Sequence, residues 1–186
     1  SYAQIGHGGI DASFDPSIVP AAEPSGSAGF HLNTPVTTAL GSAGAIQVFA
    51  GYAADGTTLL NAGADADFRA GTAGRSYTQI GHGGIRTSGD HEGAITLRST
   101  GAFELQTLTG NTDSYAQLGH GGRLAKGSLS GDVVLSTEND ITLASGNAVR
   151  AYTQIGHGGN DADSGAGLND GTISITSNSG SLSLTA

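Results

Sequence analysis

The sequence predicts an all-β protein, a parallel β-solenoid built from repeated units. A nine-residue motif, Ser-Tyr-Ala-Gln-Ile-Gly-His-Gly-Gly in its first copy, occurs four times, with starts 75, 38 and 37 residues apart. Apolar–polar–apolar triplets follow each of the last three copies, as expected of short strands with one buried face. No stretch has helical spacing, and a fixed period of this size is typical of stacked supersecondary units rather than of a globular enzyme.

The composition narrows the classes of protein that fit. The chain has 186 residues, enough for one domain, and because it opens on a motif and closes inside a repeat we expect a fragment of a longer protein. It has no Cys, so disulfides and thiolate metal sites are excluded. The net charge of −9, with only seven scattered basic residues, makes nucleic acid and anionic membranes poor partners. No apolar run is long enough to span a bilayer, so we expect no membrane insertion.

The motif divides the chain into four repeats, residues 1–75, 76–113, 114–150 and 151–186. Each of the last three repeats contains the motif strand, a variable polar segment and two strand triplets separated by a turn sequence. The triplets are Ile95–Leu97 and Phe103–Leu105, Val133–Leu135 and Ile141–Leu143, and Ile173–Ile175 and Leu182–Leu184. A β-sandwich is the alternative fold, but it has no reason to repeat its sequence at this period.

The length of a repeat predicts the number of rungs. About 37 residues are long for one turn of a narrow solenoid, so we predict two rungs per repeat, one containing the motif and the other the paired triplets. The chain then forms about eight to ten rungs, a rod of about 40–48 Å at ~4.8 Å per rung. Motif copies would lie in alternate rungs, ~9.6 Å apart.

The first repeat is longer than the others and contains an excess of about one period. Gly56–Leu60 aligns with Gly131–Leu135 of the third repeat, and Ala66 and Phe68 align with Ile141 and Leu143, so the excess lies before Gly56. Residues 10–41 contain all four prolines, which are excluded from regular sheet ladders. We interpret this segment either as a surface excursion, a place where specific binding often occurs, or as part of a degenerate unit.

The degenerate-unit interpretation is favoured by the segment 45–51. It retains the Gln, a β-branched residue and one Gly of the motif but lacks the Tyr and His. On this interpretation a whole repeat has lost its motif.

Strand alternation assigns the motif side chains to two faces. The branched aliphatic residue belongs in the core, so Ile5, Ile80, Leu118 and Ile155 are predicted to point inward. The opposite face would then form an exposed ladder of Tyr, Gln and His, a candidate binding surface for glycans or proteins. Its members are Tyr2, Tyr77, Tyr115, Tyr152, Gln4, Gln79, Gln117, Gln154, His7, His82, His120 and His157.

The histidines and glycines of the motif also have a structural interpretation. Gly-His-Gly-Gly supplies residues that adopt positive φ at a corner, and a histidine there can satisfy a backbone group with a ring nitrogen. At ~9.6 Å, successive imidazoles are too far apart to share a Zn²⁺ ion, which binds at ~2.1 Å from each nitrogen. We therefore expect no metal at the histidines.

Calcium is a weaker possibility at a different place. Asp161 and Asp163, with Asp170 further along, put carboxylates two residues apart beside glycines. Neither the twelve-residue calcium loop nor a β-roll nonapeptide is present, so solvated turns are the simpler interpretation. No catalytic motif or phosphate-binding glycine loop occurs either, so we predict no cofactor and no enzyme activity; a polysaccharide-active β-helix enzyme is a remote alternative.

The motif Tyr-Ala-Gln-Ile-Gly-His-Gly-Gly, followed by Gly-x-Ile-x-Leu rungs, resembles the repeat region of large filamentous-haemagglutinin-type bacterial exoproteins. The resemblance covers residues 1–9 and about 42–186, and it is specific only in the motif. It implies a right-handed parallel β-helix serving as an extracellular or cell-surface stalk of an adhesin. It brings no catalytic residues with it.

Two functions follow from the sequence. The first is a structural stalk or fibre segment that self-associates end to end or side by side through open sheet edges. The second is a surface that binds host or matrix glycans or proteins, formed by the Tyr/Gln/His ladder or by the 10–41 segment.

Overall fold

The computed structural model describes residues 2–10, 42–108, 112–163 and 169–186. In this part of the chain all regular structure is β-strand, and the strands of successive repeats pair in parallel. None of these residues forms a helix with the length and apolarity that a membrane span needs. The predicted all-β class with stacked parallel strands is therefore confirmed.

One turn of the chain that begins at a motif strand is called a coil, and the described residues form four. Coil 1 contains β1 (Tyr2–Ile5), β2 (Gly8–Ile10), β3 (Ser42–Ala43), β4 (Ile46–Ala50) and β5 (Ala66–Arg69). Coil 2 contains β6 (Tyr77–Ile80), β7 (Gly83–Ile85), β8 (His91–Glu92), β9 (Ile95–Ser99) and β10 (Phe103–Gln106). Coil 3 contains β11 (Tyr115–Leu118), β12 (Leu129–Ser130), β13 (Val133–Thr137) and β14 (Ile141–Ala144). Coil 4 contains β15 (Tyr152–Ile155), β16 (Asn169–Asp170), β17 (Ile173–Ser177) and β18 (Leu182–Thr185).

Strands at the same position in successive coils form the sheets. The motif strands pair in the order β1-β6-β11-β15, and three further four-stranded sheets are β3-β8-β12-β16, β4-β9-β13-β17 and β5-β10-β14-β18. The short strands β2 and β7 form a two-stranded sheet. Every motif residue therefore pairs with its equivalent in the next coil, for example Gln79 with Gln117.

The prediction of two rungs per repeat was wrong, because each repeat forms a single coil. Motif strands pair directly with one another, as Tyr77 with Tyr115 and Tyr115 with Tyr152, and no strand lies between them. The coil accommodates about 37 residues because the segment that follows the motif covers the second face of the motif strand. The sequence predicts only a variable polar segment at this place. In the structure the segment lengthens each coil and encloses a second apolar cluster against the motif strand.

Two apolar clusters lie inside the coils. The larger one lies between the motif sheet and the sheets built from β9 and β10, and it contains Ile80, Ile95, Leu97, Phe103 and Leu105 with their equivalents in neighbouring coils. The smaller one lies on the other face of the motif strands, where Ile85 packs against Tyr77, Tyr115 and Tyr152. Alternation within the motif therefore sends its side chains into two compartments, and both faces of β6 and β11 are buried.

Coil 1 contains the excess residues, and the degenerate-unit interpretation was wrong. The motif strand β1 pairs directly with β6, so no repeat intervenes between them. Strand β4, which lies within the segment 45–51, pairs with β9 and not with a motif strand. The alignment of Ala66 and Phe68 with Ile141 and Leu143 is confirmed, since β10, with Phe103 and Leu105, pairs with both strands in that register. The alignment of Gly56–Leu60 with Gly131–Leu135 was wrong, because β4 is the strand that pairs with β9 at this position. Of the predicted excursion 10–41, all but Ile10 lies outside the described residues.

A second insertion in coil 1, residues 51–65, lies against the side of the coils. Arg98 of coil 2 places its guanidinium carbon 4.7 Å from the ring centre of Tyr52 and donates a hydrogen bond to the carbonyl of Gly56. The Tyr52 hydroxyl reaches Glu138 of coil 3 at 3.5 Å. Hydrogen bonds from the Thr58 hydroxyl, which contributes most, and from the backbone N–H groups of Thr58 and Thr57 lower the pKa of the Asp55 carboxyl at the tip of the loop. The loop is therefore held by contacts with coils 2 and 3.

Candidate functional site

The Tyr side chains of the motif form a buried stack. Tyr77 and Tyr115 have ring centres 4.8 Å apart, Tyr115 and Tyr152 have ring centres 5.1 Å apart, and the planes are nearly parallel. The Tyr77 hydroxyl donates to Gln4 Oε1 and the Tyr115 hydroxyl to Gln79 Oε1, both at 3.3 Å. Burial raises the pKa of the Tyr115 hydroxyl well above its ordinary value, so this phenol remains a neutral donor.

The Gln side chains connect each coil to the next. Gln79 Nε2 donates to the carbonyls of Gly119 and Gly121 in coil 3, both at 3.1 Å. Gln117 Nε2 makes the equivalent bonds to Gly156 and Gly158 in coil 4, at 3.0 and 3.1 Å. The amide of one motif therefore supplies the donors that the corner carbonyls of the following coil need once they are buried.

The His side chains form a second stack, and their rings bond to the preceding coil, whereas the Gln amides bond to the following one. Ring centres of successive histidines lie 5.1, 5.0 and 4.9 Å apart from His7 to His157. His120 Nδ1 accepts from the backbone N–H of His82 at 2.9 Å, and His120 Nε2 lies 2.7 Å from the carbonyl oxygen of Gly93. Because Nδ1 accepts, Nε2 must carry the proton and donate to the carbonyl. His82, His120 and His157 thus each contact the preceding coil with both ring nitrogens.

Burial disfavours the charged form of these imidazoles. The pKa of His82 is lowered and that of His120 falls to about 4, chiefly because both rings are buried. His91 lies in the same compartment, is buried, and has no hydrogen-bond partner for either ring nitrogen among the described residues. Its pKa also falls to about 4, mainly through burial and then through the nearby His82.

The corner glycines satisfy a steric requirement as well as a conformational one. Gly81 and Gly119 have φ of +151° and +149°, in the region that disfavours other residues. A Cβ added to Gly81 would clash with the carbonyl of Gly119, and one added to Gly119 would clash with the carbonyl of Gly156. The prediction that Gly-His-Gly-Gly provides positive φ at a corner is confirmed.

The structure therefore corrects the predicted facing of the motif. Tyr77, Gln79, His82 and their equivalents in coil 3 are buried, and they do not form an exposed ladder. The spacing argument against a shared metal was also wrong, because the rings lie about 5 Å apart and not ~9.6 Å. Both nitrogens of His82 and His120 already have backbone partners.

The calcium candidates are not brought together. Asp161 and Asp163 lie in an exposed segment after the last motif, and Asp170 lies in β16, where its Oδ1 accepts from the N–H of Gly171. In the described ranges no group of three or more His, Asp or Glu side chains has the geometry to hold a metal ion. Other corner aspartates accept backbone N–H groups of the next coil, as Asp132 does from Thr172 and Asp140 from Ser181.

Sequence reasoning missed a cluster of charges at the corner that precedes the motif. Arg75, Asp113 and Arg150 occupy equivalent positions in successive coils, each with φ of 60°. Asp113 is buried, and it pairs with Arg150, with Arg123 at 3.4 Å and with Arg75 at 4.0 Å. A hydrogen bond from Arg150 contributes most to the lowered pKa of Asp113. The sequence signal that could have revealed the cluster is that each of the three residues directly precedes one of the last three motif copies.

The motif is thus a device that joins coils, because its Tyr and His reach the preceding coil and its Gln reaches the following one. Comparisons of this chain with protein-family models, with curated proteins and with solved structures found no match.

Proposed function

We propose that the chain is a structural segment, a stalk or fibre portion of a secreted or surface-attached bacterial adhesin. The observation that carries this proposal is the use of the motif side chains: the buried Tyr, Gln and His groups bond to neighbouring coils and none is presented to solvent in coils 2 and 3. A solenoid whose coils are joined in this way extends by addition of equivalent units, and its stability grows with their number.

The adhesin context is supported by the resemblance of the motif to filamentous-haemagglutinin-type repeats. On this proposal the coils wind right-handed, as parallel β-crossovers nearly always do, and the protein is extracellular. It is not an enzyme, does not bind nucleic acid and does not insert into membranes. Its net charge of −9, spread over the chain, serves solubility.

The proposal is tested by comparing two triple variants that change equivalent residues in three coils. In the first, Tyr77, Tyr115 and Tyr152 become Ser. Replacing a buried aromatic by a small residue costs about 3–5 kcal/mol, so three replacements cost about 9–15 kcal/mol, as much as the ~5–15 kcal/mol net stability of a typical domain. The matched control changes Thr96, Val134 and Ser174 to Ala, because these residues pair in register on the outward positions of β9, β13 and β17.

We expect the Tyr variant to lose cooperative urea unfolding followed by far-UV circular dichroism, and the control to unfold like the wild type. Binding to a glycan array and to host cells is measured in parallel. A Tyr variant that remains folded but loses a ligand that the wild type binds would overturn the structural proposal and support binding through the ladder.

A second candidate function, protein binding, is favoured at the loop 51–65. Leu59 and Leu60 are exposed side by side there, although the loop is held to the coils through Tyr52 and Arg98. Apolar side chains on a fixed loop are suited to contact a protein partner. Replacing both leucines by Ser should leave the urea midpoint unchanged, and reduced adhesion of that variant to matrix proteins would assign binding to this loop.

A further inference from the structure

We propose that the second compartment of coils 2 and 3 opens on acidification while the main core stays closed, so that low pH uncovers the Tyr/Gln face of the motif strands. The second compartment is the space between the motif strands and the segments that cover them, residues 83–92 in coil 2 and 121–130 in coil 3. The main core is the larger apolar cluster on the other face. This inference goes beyond the structural role proposed above, because it assigns a conformational switch to one part of each coil.

The covering segments form a layer of their own. The N–H of His91 in coil 2 donates to the carbonyl of Ser128 in coil 3 at 2.8 Å, so successive segments are joined along the axis as the strands are. Side-chain packing joins the layer to the motif strands, and Ile85 lies there against Tyr77 and Tyr115. The layer can therefore move away from the motif strands without breaking a strand pair of the main core.

Histidines of the motif close the base of each covering segment. The segment of coil 2 leaves the coil after His82 and returns at Gly93, and His120 of coil 3 bridges these two points. Its Nδ1 accepts from the N–H of His82 at 2.9 Å, and its Nε2 lies 2.7 Å from the carbonyl oxygen of Gly93. His157 makes the equivalent contacts with His120 and Gly131, at 3.0 and 2.7 Å. A protonated ring has no acceptor, so protonation removes the bond at the start of the segment.

His91 adds an uncompensated polar group inside the closed compartment. It is 2% exposed, and neither ring nitrogen has a hydrogen-bond partner among the described residues. The residue at the same position in coil 3 is Leu129, which is also buried, so the site suits an apolar side chain. The groups that act electrostatically on the His91 ring are His82, His120 and the exposed carboxylate of Asp90. A proton on His91 therefore places a charge in an apolar site that contains two further imidazoles.

Burial makes proton uptake the driving force for opening. The pKa of His91 and that of His120 are about 4 in the closed compartment, chiefly because both rings are buried, whereas the ordinary value is 6.5. Because the closed form has the lower pKa, the open form takes up protons first, and the closed form loses stability as the pH falls from 6.5 to about 4. Between pH 7 and 5, each of the two rings raises the ratio of open to closed form by about twenty-fold.

The main core and the other end of the covering segment keep their contacts in this range of pH. The described residues of the main core cluster are Ile, Leu, Val, Phe and Ala, which carry no titratable group. At the end of the motif strand opposite the histidines, Arg123 of the covering segment lies 3.4 Å from Asp113. A hydrogen bond from Arg150 contributes most to the lowered pKa of Asp113, so this carboxylate stays ionised above its ordinary value of 3.8. Opening therefore begins at the histidine end.

The experiment is hydrogen exchange measured by mass spectrometry on the full chain at pH 7.0 and 5.0, with protection factors corrected for the intrinsic exchange rate at each pH. Peptides from the covering segments are compared with peptides from β9 and β13. The variant is His91→Leu, which places in coil 2 the residue type that coil 3 has at this position. The matched control is Thr96→Ala, at an outward position of β9. Both variants should keep the wild-type far-UV circular dichroism at pH 7.0.

We expect the covering segments to be less protected than β9 and β13 at both pH values. Their protection in the wild type and in Thr96→Ala should fall about four-hundred-fold from pH 7.0 to 5.0, whereas in His91→Leu it should fall only about twenty-fold because one of the two rings remains. Equal protection of segments and strands at pH 5.0 overturns the inference, since only global unfolding then exposes the motif face. A pH response that is absent from the wild type, or unchanged by His91→Leu, overturns it as well. These results leave the structural role standing, because that role depends on contacts between closed coils.

Discussion

Acidification is expected to destabilise the folded chain because it protonates buried imidazoles. The loss of folding free energy can be calculated for His91 and His120. Both have a folded-state pKa of about 4, against 6.5 for an ordinary histidine. Because the folded-state value is the lower one, the unfolded chain binds the proton first as the pH falls. Their contribution to stability is complete above pH 6.5 and is lost between 6.5 and about 4.

The expected loss is large relative to the stability of a domain of this size. One unit of pKa corresponds to about 1.4 kcal/mol, so lowering the pH from 7 to 4.5 should cost about 2–3 kcal/mol for each of the two groups. The aspartates with lowered pKa, Asp55, Asp113 and Asp140, lose their contribution only below their ordinary value of 3.8. Histidines therefore dominate the window from pH 6.5 to 4.5.

The groups around the two rings are consistent with this assignment. His91 faces His82 and Asp90, and His120 faces His82, His91 and His157. Protonation of one ring places a positive charge beside other imidazoles, and protonation of His120 Nδ1 also removes the acceptor of the His82 N–H. The added charge and the lost hydrogen bond therefore both lower the free energy of unfolding.

The assay is urea unfolding by far-UV circular dichroism at pH 7.0, 5.5 and 4.5, with wild type and His91→Leu in parallel. His91 has no hydrogen-bond partner among the described residues, so an apolar replacement should be neutral or stabilising at pH 7. The variant should also lose about 2–3 kcal/mol less than the wild type on acidification. Equal free energies of unfolding for wild type at pH 7.0 and 4.5 would refute the reasoning, and so would identical pH dependence of the two proteins.

Three further predictions concern single residues, each measured as a urea midpoint at pH 7. Gly93→Ala should destabilise by several kcal/mol more than Gly44→Ala: the two have nearly equal φ, +138° and +135°, but only at Gly93 does a Cβ clash, with the carbonyl of Gly44. Asp113→Asn should cost about 1–3 kcal/mol because it removes the buried negative charge that pairs with the guanidinium groups of Arg123 and Arg150, whereas Asp67→Asn, in an exposed pair with Arg69, should cost below about 1 kcal/mol. Gln117→Ala should cost about 2–3 kcal/mol because it removes the side-chain donor to the carbonyl of Gly156 and leaves the carbonyl of Gly158 with the Gly122 N–H alone; wild-type stability in this variant would contradict the joining role of the motif.

Local pattern was sufficient to predict the fold class and part of the register. Alternation in Ile95–Leu97 and Phe103–Leu105 reports one buried face, and these residues are in the core. The equivalence of Ala66 and Phe68 with later triplets is reproduced because residues in a parallel in-register stack keep the same position in each repeat. Such information depends only on neighbouring residues along the chain.

The number of rungs and the facing of the ladder could not be predicted in the same way. Alternation places Tyr and Gln opposite Ile but does not say whether their face is covered, because that depends on the path of residues 83–92. One signal was available: the Tyr/Gln/His face contains no ionised side chain, which an exposed face of an acidic protein would be expected to carry. The Arg–Asp corner was missed because its partners come from three coils, 37 and 38 residues apart.

The motif repeats almost unchanged along the chain because each copy contacts both the preceding and the following coil. A histidine in coil 3 takes its acceptor bond and its donor bond from coil 2, while its own N–H supplies the ring in coil 4. Changing one copy therefore disturbs two interfaces. These two-sided contacts account for nine residues that repeat almost unchanged, whereas the connection between the two triplet strands varies in length: coil 1 has fifteen residues there, 51–65, where coil 2 has three, 100–102. The repetition is required by the joining of coils, and it needs no ligand to account for it.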